Sequence, residues 1–184
     1  MNKPVNKSKI GELDPVLLNK LLETYTNDSK ISKWDIGASS SRDISVQVQQ
    51  GNAKQLKASQ RNSMTLRVWK NNKVGITSTS DLTNEGIRKA IKGAIQASIF
   101  GNDKESPEFS SLAKSPLPEN NFNPKKEHGI NELLTILKKA EKQLIETHKS
   151  IDSVPYNGLT ESYMERLYIN SDGANRYMKL SQSS

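Results

Sequence analysis

Apolar residues at Leu17, Leu18, Leu21, Leu22 and Tyr25 return at intervals of three and four, so they share one face of a helix. Asp14 ahead of Pro15 supplies an N-cap acceptor and a preset first dihedral, which starts this helix at Pro15 and ends it near Thr26-Asn27-Asp28. From Trp34 onward the period changes to two. Ile44, Val46 and Val48 fall on one side and Ser45, Gln47 and Gln49 on the other, as in strands with one covered and one wetter face. Met64–Trp69 and Lys73–Thr79 continue the strand pattern. The segments Gln50-Gly51-Asn52 and Lys70-Asn71-Asn72-Lys73 are short and tolerate positive φ, so each is expected to close an antiparallel hairpin. Residues 53–61 form the strand between the hairpins, although Ala53, Leu56 and Ala58 alternate poorly. The expectation for residues 34–80 is an antiparallel sheet of five strands in a meander.

A second helix follows. Thr83 is its N-cap, Leu82 and Ile87 are spaced for a hydrophobic staple, and Glu85 suits the positive end of the helix dipole. Ile87, Ala90, Ile91, Ala94, Ile95 and Ser98 or Ile99 form the face expected to pack on the sheet, with Arg88, Lys89 and Lys92 outward and Gly101 at the end. Pro107, Pro116, Pro118 and Pro124 then exclude a long helix or an interior strand, so residues 101–128 read as an extended surface linker that could clasp the body through Phe109, Leu112 and Phe122. Ile130, Leu133, Leu134, Leu137, Ala140 and Leu144 define a third helix, expected to lie beside the second, with Lys138, Lys139 and Lys142 in solvent. After Ile151 strands return, with a turn at Ser171-Asp172-Gly173-Ala174.

The expected fold is α/β (α+β): an antiparallel β-meander covered by two to three helices, with additional strands at the C-terminal end. The expected division is a flexible N-terminus over 1–12, an α/β domain over 13–150 with its proline-containing linker at 101–128, and strands from 151 to 184 that begin a further, truncated β region.

Composition changes this picture in three ways. The formal charge of +7 is uneven, because residues 1–100 hold 16 Lys and Arg against 8 Asp and Glu while the rest is nearly balanced, so the basic character belongs to the first domain. The absence of cysteine excludes disulfides, thiolate ligands and thiol nucleophiles. No secretory leader pattern and no long apolar run occur, so the chain reads as cytoplasmic and without a membrane partner.

Candidate chemistry is sparse. No phosphate-cradling glycine loop is present, which excludes the common nucleotide-binding motifs. Ser78, Ser80 and Asp81 have no neighbouring histidine and read as turn and capping residues. Lys54, Lys57, Arg67, Trp69 and Lys73, with Lys70 and Arg61, could form a basic face on the hairpins. Such a face suits a peptide or partner chain, or alternatively single-stranded nucleic acid stacking on Trp69 in a nucleic-acid-binding or regulatory module. An uncovered strand edge offers a third use, the addition of an extended peptide or a partner subunit as a further strand.

The order of elements, with Val74-Gly75-Ile76-Thr77-Ser78-Thr79-Ser80-Asp81-Leu82-Thr83 leading into a helix and Tyr163-Met164-Glu165-Arg166-Leu167-Tyr168-Ile169-Asn170-Ser171-Asp172-Gly173 later, resembles the N-terminal domain of the TldD/PmbA family, the metallopeptidases also called modulators of DNA gyrase. The resemblance implies two-part subunits that work in homologous pairs on small or unfolded peptides. It also implies a zinc site on a His-Glu-x-x-x-His segment in the second part. This chain lacks that segment. His128 precedes Gly129 and His148 precedes Lys149, and both read as surface residues, so no catalytic, cofactor or metal residue is assigned here and zinc is implied only for the full peptidase complex. The chain is expected to be the front portion of a longer protein, or a subunit of the kind without the metal motif, and inactive alone.

Overall fold

The computed structural model describes residues 13–26, 30–103, 105–115 and 127–184. The expected flexible residues 1–12, the helix end at Asn27-Asp28, and Pro116, Pro118, Phe122 and Pro124 of the linker lie outside the described residues. The elements in chain order are α1 (Pro15–Thr26), β1 (Ile31–Gln49), β2 (Asn52–Lys70), β3 (Lys73–Thr79), α2 (Asn84–Ala97), α3 (Ile130–Thr147), β4 (Gly158–Asn170) and β5 (Asn175–Ser183). Single 3-10 turns lie at Ser98–Phe100 and Ser111–Lys114.

The strands form one five-stranded sheet in the order β3-β2-β1-β4-β5. The region expected to hold five strands holds three. β1 and β2 each run 19 residues without interruption, because the polar stretches near Ser40 and Asn62 stay in strand, where the Ser40 hydroxyl donates to Asn62 Oδ1 at 2.8 Å. The other two strands come from beyond α3. The amide of Val48 donates to the carbonyl of Asn157 and that of Ser171 to the carbonyl of Trp34, so β4 runs antiparallel beside β1. Both hairpin turns are as expected, with positive φ at Gln50 and Gly51 (51° and 72°) and at Asn71 and Asn72 (50° and 58°).

By contact the chain divides into two compact units, Met1–Ser40 with Arg61–Asn120 and Glu165–Met178, and Ser41–Gln60 with Asn121–Met164 and Lys179–Ser184. In the first unit α1 and α2 pack against each other and on the sheet. The core joins Leu18, Leu21 and Leu22 to Ile87, Ala90, Ile91 and Ala94 over Ile36, Ala38, Met64, Leu66, Val68, Leu167 and Ile169. Each large apolar side chain withdrawn from water here stabilises the fold by about 1.5–3 kcal/mol. The caps are those expected: Asp14 Oδ1 accepts from the amides of Val16 and Leu17, and the Thr83 hydroxyl accepts from the amide of Gly86. Ser98, not Ile99, completes the buried face of α2. Gly101 closes the turn after α2 with φ of −66°, so a left-handed cap is not its purpose. A Cβ there would sit 2.2 Å from the carbonyl oxygen of Val74, and close approach requires the glycine.

In the second unit α3 lays Leu133 and Leu137 on Ile44, Val46 and Val48. In the first unit the helix beside α2 is α1, since both draw on the same core. One expectation for α3 is corrected. Ala140 and Leu144 are exposed, and the buried position one residue on from Ala140 is Glu141. Its carboxylate accepts from the amides of Gln50 at 2.9 Å and Gly51 at 2.7 Å, so a charged side chain completes the β1–β2 turn. Replacing Glu141 by Ala should therefore cost about 2 kcal/mol, the range for hydrogen bonds to a charged group. The loss should be read as a lowered urea midpoint with faster hydrogen exchange at the Gln50 and Gly51 amides.

Candidate functional site

The residues singled out in the sequence separate into two groups. Lys54 and Lys57 lie in the second unit, on a stretch of β2 in which every residue from Asn52 to Gln60 is exposed. β3 pairs only with Met64–Lys70, so among the described residues no strand lies against the outer edge of β2 over 52–60. The poor alternation of Ala53, Leu56 and Ala58 has a physical cause: this segment has no buried face to encode. Its amides and carbonyls on the outer side form a row open to a further strand, with two ammonium groups beside it. Lys54 also rims a hollow of about 260 Å³ lined by Gln47, Val48, Pro155, Tyr156, Asn157 and Gly158.

Arg67, Trp69 and Lys73 belong to the first unit and are engaged there. Arg67 forks onto Asp35, with Nε 2.9 Å from Oδ1 and Nη2 on Oδ2, and its guanidinium lies 5.3 Å from the Trp69 ring centroid. The Asp35 side chain is only 3% exposed while that of Arg67 is 46% exposed. The hydrogen bond that Arg67 donates to Asp35 raises the Arg67 pKa above its ordinary value. Trp69 is buried and meets Phe109 edge to face at 6.1 Å. Nucleic acid stacking on Trp69 is thereby corrected: the ring is covered. Lys73 Nζ donates to the carbonyl of Ile99 at 3.4 Å. Arg61 is exposed and Lys70 half-buried.

The cover over Trp69 is the first part of the linker. Asp103 bridges to Lys73, Ser106 Oγ meets Ser32 Oγ, Lys33 lies over the Phe109 ring at 5.7 Å, and the Leu112 carbonyl accepts from Arg176 at 3.0 Å. Phe109 thus clasps the first unit as expected, whereas the Leu112 side chain is 75% exposed and only its carbonyl is used.

A second polar cluster escaped the sequence reading. Glu161 on β4, 5% exposed, accepts from His128 Nδ1 at 2.6 Å, from the His128 amide at 3.3 Å, from the Tyr163 hydroxyl at 2.5 Å and from Ser183 Oγ at 3.4 Å. Burial pushes the Glu161 carboxyl up, but the bonds from Tyr163 and His128 together outweigh it and leave the pKa below the ordinary value. Burial first, then the bond to Glu161, pushes the Tyr163 phenol up to about 12. A carboxylate with a depressed folded pKa adds stability above the unfolded pKa of about 4.3 and loses it as pH falls through the folded value. The wild-type chain should therefore weaken steeply below about pH 4, and Glu161→Gln should be less stable at neutral pH with a flatter acid limb in urea titrations run from pH 7 to 3.

His128, two residues ahead of α3, is thus held to Glu161 by its ring and its amide and is not, as the flanks implied, an idle surface group. His148 is exposed, and its Nδ1 accepts from the amide of Ser150. Among the described residues no three His, Cys, Asp or Glu side chains form a group that could hold a metal ion. The zinc implied by the resemblance finds no donor set there, and no chemical step is assigned to it. Asp81 serves the fold as well, because Thr83, through its hydroxyl and then its amide, holds the Asp81 carboxyl below its ordinary pKa at the head of α2. No described helix is long and apolar enough to cross a membrane.

Comparison with known proteins follows this geometry. Residues 34–98 match the family model for PmbA/TldA metallopeptidase domain 1. No curated protein matches the chain in sequence. Among solved structures, TldE from Thermococcus kodakarensis is similar at 20% identity and a TM-score of 0.65, over 91% of this chain and 37% of that one. A proposed modulator of DNA gyrase from Bacteroides thetaiotaomicron follows at 15% identity and 0.63, over 94% and 40%. Another from Thermotoga maritima has 14% identity and 0.58, over 91% and 37%. At these identities the likeness is one of fold. The chain spans about two fifths of the length of these structures.

Proposed function

On the premise that residues 34–98 belong to the first domain of the PmbA/TldA (TldD/PmbA) metallopeptidase family, we propose that this chain is the non-metal-binding part of such a subunit and positions peptide substrate and a homologous partner chain for proteolysis performed elsewhere. The single observation that carries the reading is the open outer edge of β2 over residues 52–60. An edge of that length pairs with an unfolded chain through backbone groups, which is recognition independent of sequence, as a peptidase of small or unfolded peptides requires. Lys54 and Lys57 bias it toward acidic segments. They also guard the edge against self-association when no peptide is bound, because ammonium groups discourage stacking of identical chains.

A fluorescent, unstructured acidic octapeptide titrated onto the chain tests this. Exposed charge pairs contribute about 0.2–1 kcal/mol each, so Lys54→Glu with Lys57→Glu should weaken binding about tenfold at low salt, the effect shrinking as salt screens it. Affinity untouched by both reversals at low salt would remove the edge as the binding element. Addition of metal should give the chain no peptidase activity of its own.

A further inference from the structure

Trp69 is 2% exposed yet belongs to neither hydrophobic core. Val68 beside it lies in the core of the first unit, so by strand alternation Trp69 stands on the opposite face of β2, where Phe109 of the strap formed by residues 105–115 meets its ring. The strap is lightly held. None of its residues is buried, Phe109 is half-buried, and its polar contacts to the body, Ser106 Oγ with Ser32 Oγ and the Leu112 carbonyl with Arg176 at 3.0 Å, are exposed. A segment fastened in this way opens at low cost.

The cover also leaves the indole incomplete. Trp69 Nε1 is buried and has no acceptor among the described residues, and an orphaned donor carries a desolvation penalty that a ligand carbonyl would relieve. Phe109 meets Trp69 edge to face at 6.1 Å, and the Lys33 ammonium lies 5.7 Å from the Phe109 ring centroid. Both contacts select an aromatic ring, and neither requires that the ring belong to this chain. We infer that Trp69 and Lys33 form a seat for the aromatic side chain of an extended peptide, with Phe109 as its occupant until the peptide displaces the strap. Once the strap has left, a carbonyl of the peptide accepts from Trp69 Nε1. The ligand class rests on the peptide-positioning reading. The seat adds to it a preference for an aromatic residue and a cover that competes for the same place.

The test titrates acetyl-Ala-Phe-Ala amide, which is uncharged and too short to pair along residues 52–60, onto the wild-type chain and onto Phe109→Ala. Phe109 lies in neither core, so the variant should fold as wild type does. Apparent affinity falls with the fraction of chain that is open, so a strap closed about nine-tenths of the time makes Phe109→Ala bind about tenfold more tightly. Phe109→Leu, which keeps an apolar cover without the ring, should fall between the two. On saturation the Trp69 indole N–H resonance, assigned by its loss in Trp69→Phe, should move downfield, and in wild type the Phe109 ring signals should move to their unfolded positions. Acetyl-Ala-Ala-Ala amide should do neither. Equal affinity of wild type and Phe109→Ala, equal binding of the alanine peptide, or an unmoved indole signal would each overturn the proposal. Strap displacement by the tripeptide, with no protection of residues 53–60 by the octapeptide, would keep the seat and sink the edge, and the converse would sink the seat alone.

Discussion

Gly75→Ala is expected to destabilise the chain by about 3 kcal/mol, the upper end of what overpacking costs. Gly75 pairs with Val68 at the centre of β3 and is buried against the end of α2. An added Cβ would lie 1.9 Å from the carbonyl oxygen of Ala94 and 2.4 Å from the amide nitrogen of Ser98, both backbone atoms that cannot swing aside. Gly101 belongs to the same seam, and Gly93 meets Thr77 Oγ1 at 3.2 Å once a Cβ is added. A methyl group at Gly75 therefore pushes the whole C-terminal end of α2 away from β3, and the core of Ile87, Ile91 and Ala94 opens with it. Urea unfolding should show a lowered midpoint with little change in slope. Gly37→Ala, where the added atom meets open space, is the control and should change stability little. A Gly75→Ala chain as stable as wild type would mean that α2 does not sit on β3 this closely.

The second large effect is asymmetric. Arg67→Ala should cost about 3 kcal/mol, the low end for breaking a buried ion pair, because it leaves the buried Asp35 carboxylate without its guanidinium, the Tyr168 hydroxyl lying 3.5 Å away. Asp35→Ala should cost less, since the half-exposed guanidinium of Arg67 recovers its hydration. The double variant should be more stable than the sum of the single losses allows, because the penalty in Arg67→Ala is that of a lone charge. The cycle is read from urea midpoints of the four chains at pH 7. Equal single effects and strict additivity would show that Asp35 and Arg67 do not act as a unit.

What the sequence revealed was local. Thr83, Leu82 and Ile87 are near neighbours whose spacing alone specifies a cap and staple, and Asn71-Asn72 carries its positive φ in its own side chains. The strand lengths were less legible, because the polar run near Ser40 resembles a break until its partner at Asn62 is known. Glu141 lies 90 and 91 residues from the two amides it serves, and Glu161 lies 33 from His128, so no window of sequence shows either. Of the candidate face, Lys54 and Lys57 are as exposed as their polar surroundings imply. Arg67 and Trp69 have the same composition and are engaged, because Asp35 and Phe109 come to them from other parts of the fold. The weak alternation of residues 53–61 reflects a strand segment that is exposed throughout and encodes no buried face.

Amide hydrogen exchange along β2, with and without a saturating unstructured acidic octapeptide, tests the central claim most directly. The account predicts new protection at alternate amides within residues 53–60, on the outer side of the strand, with exchange in α2 unchanged. Exchange over 53–60 that stays the same while the peptide is bound would contradict it.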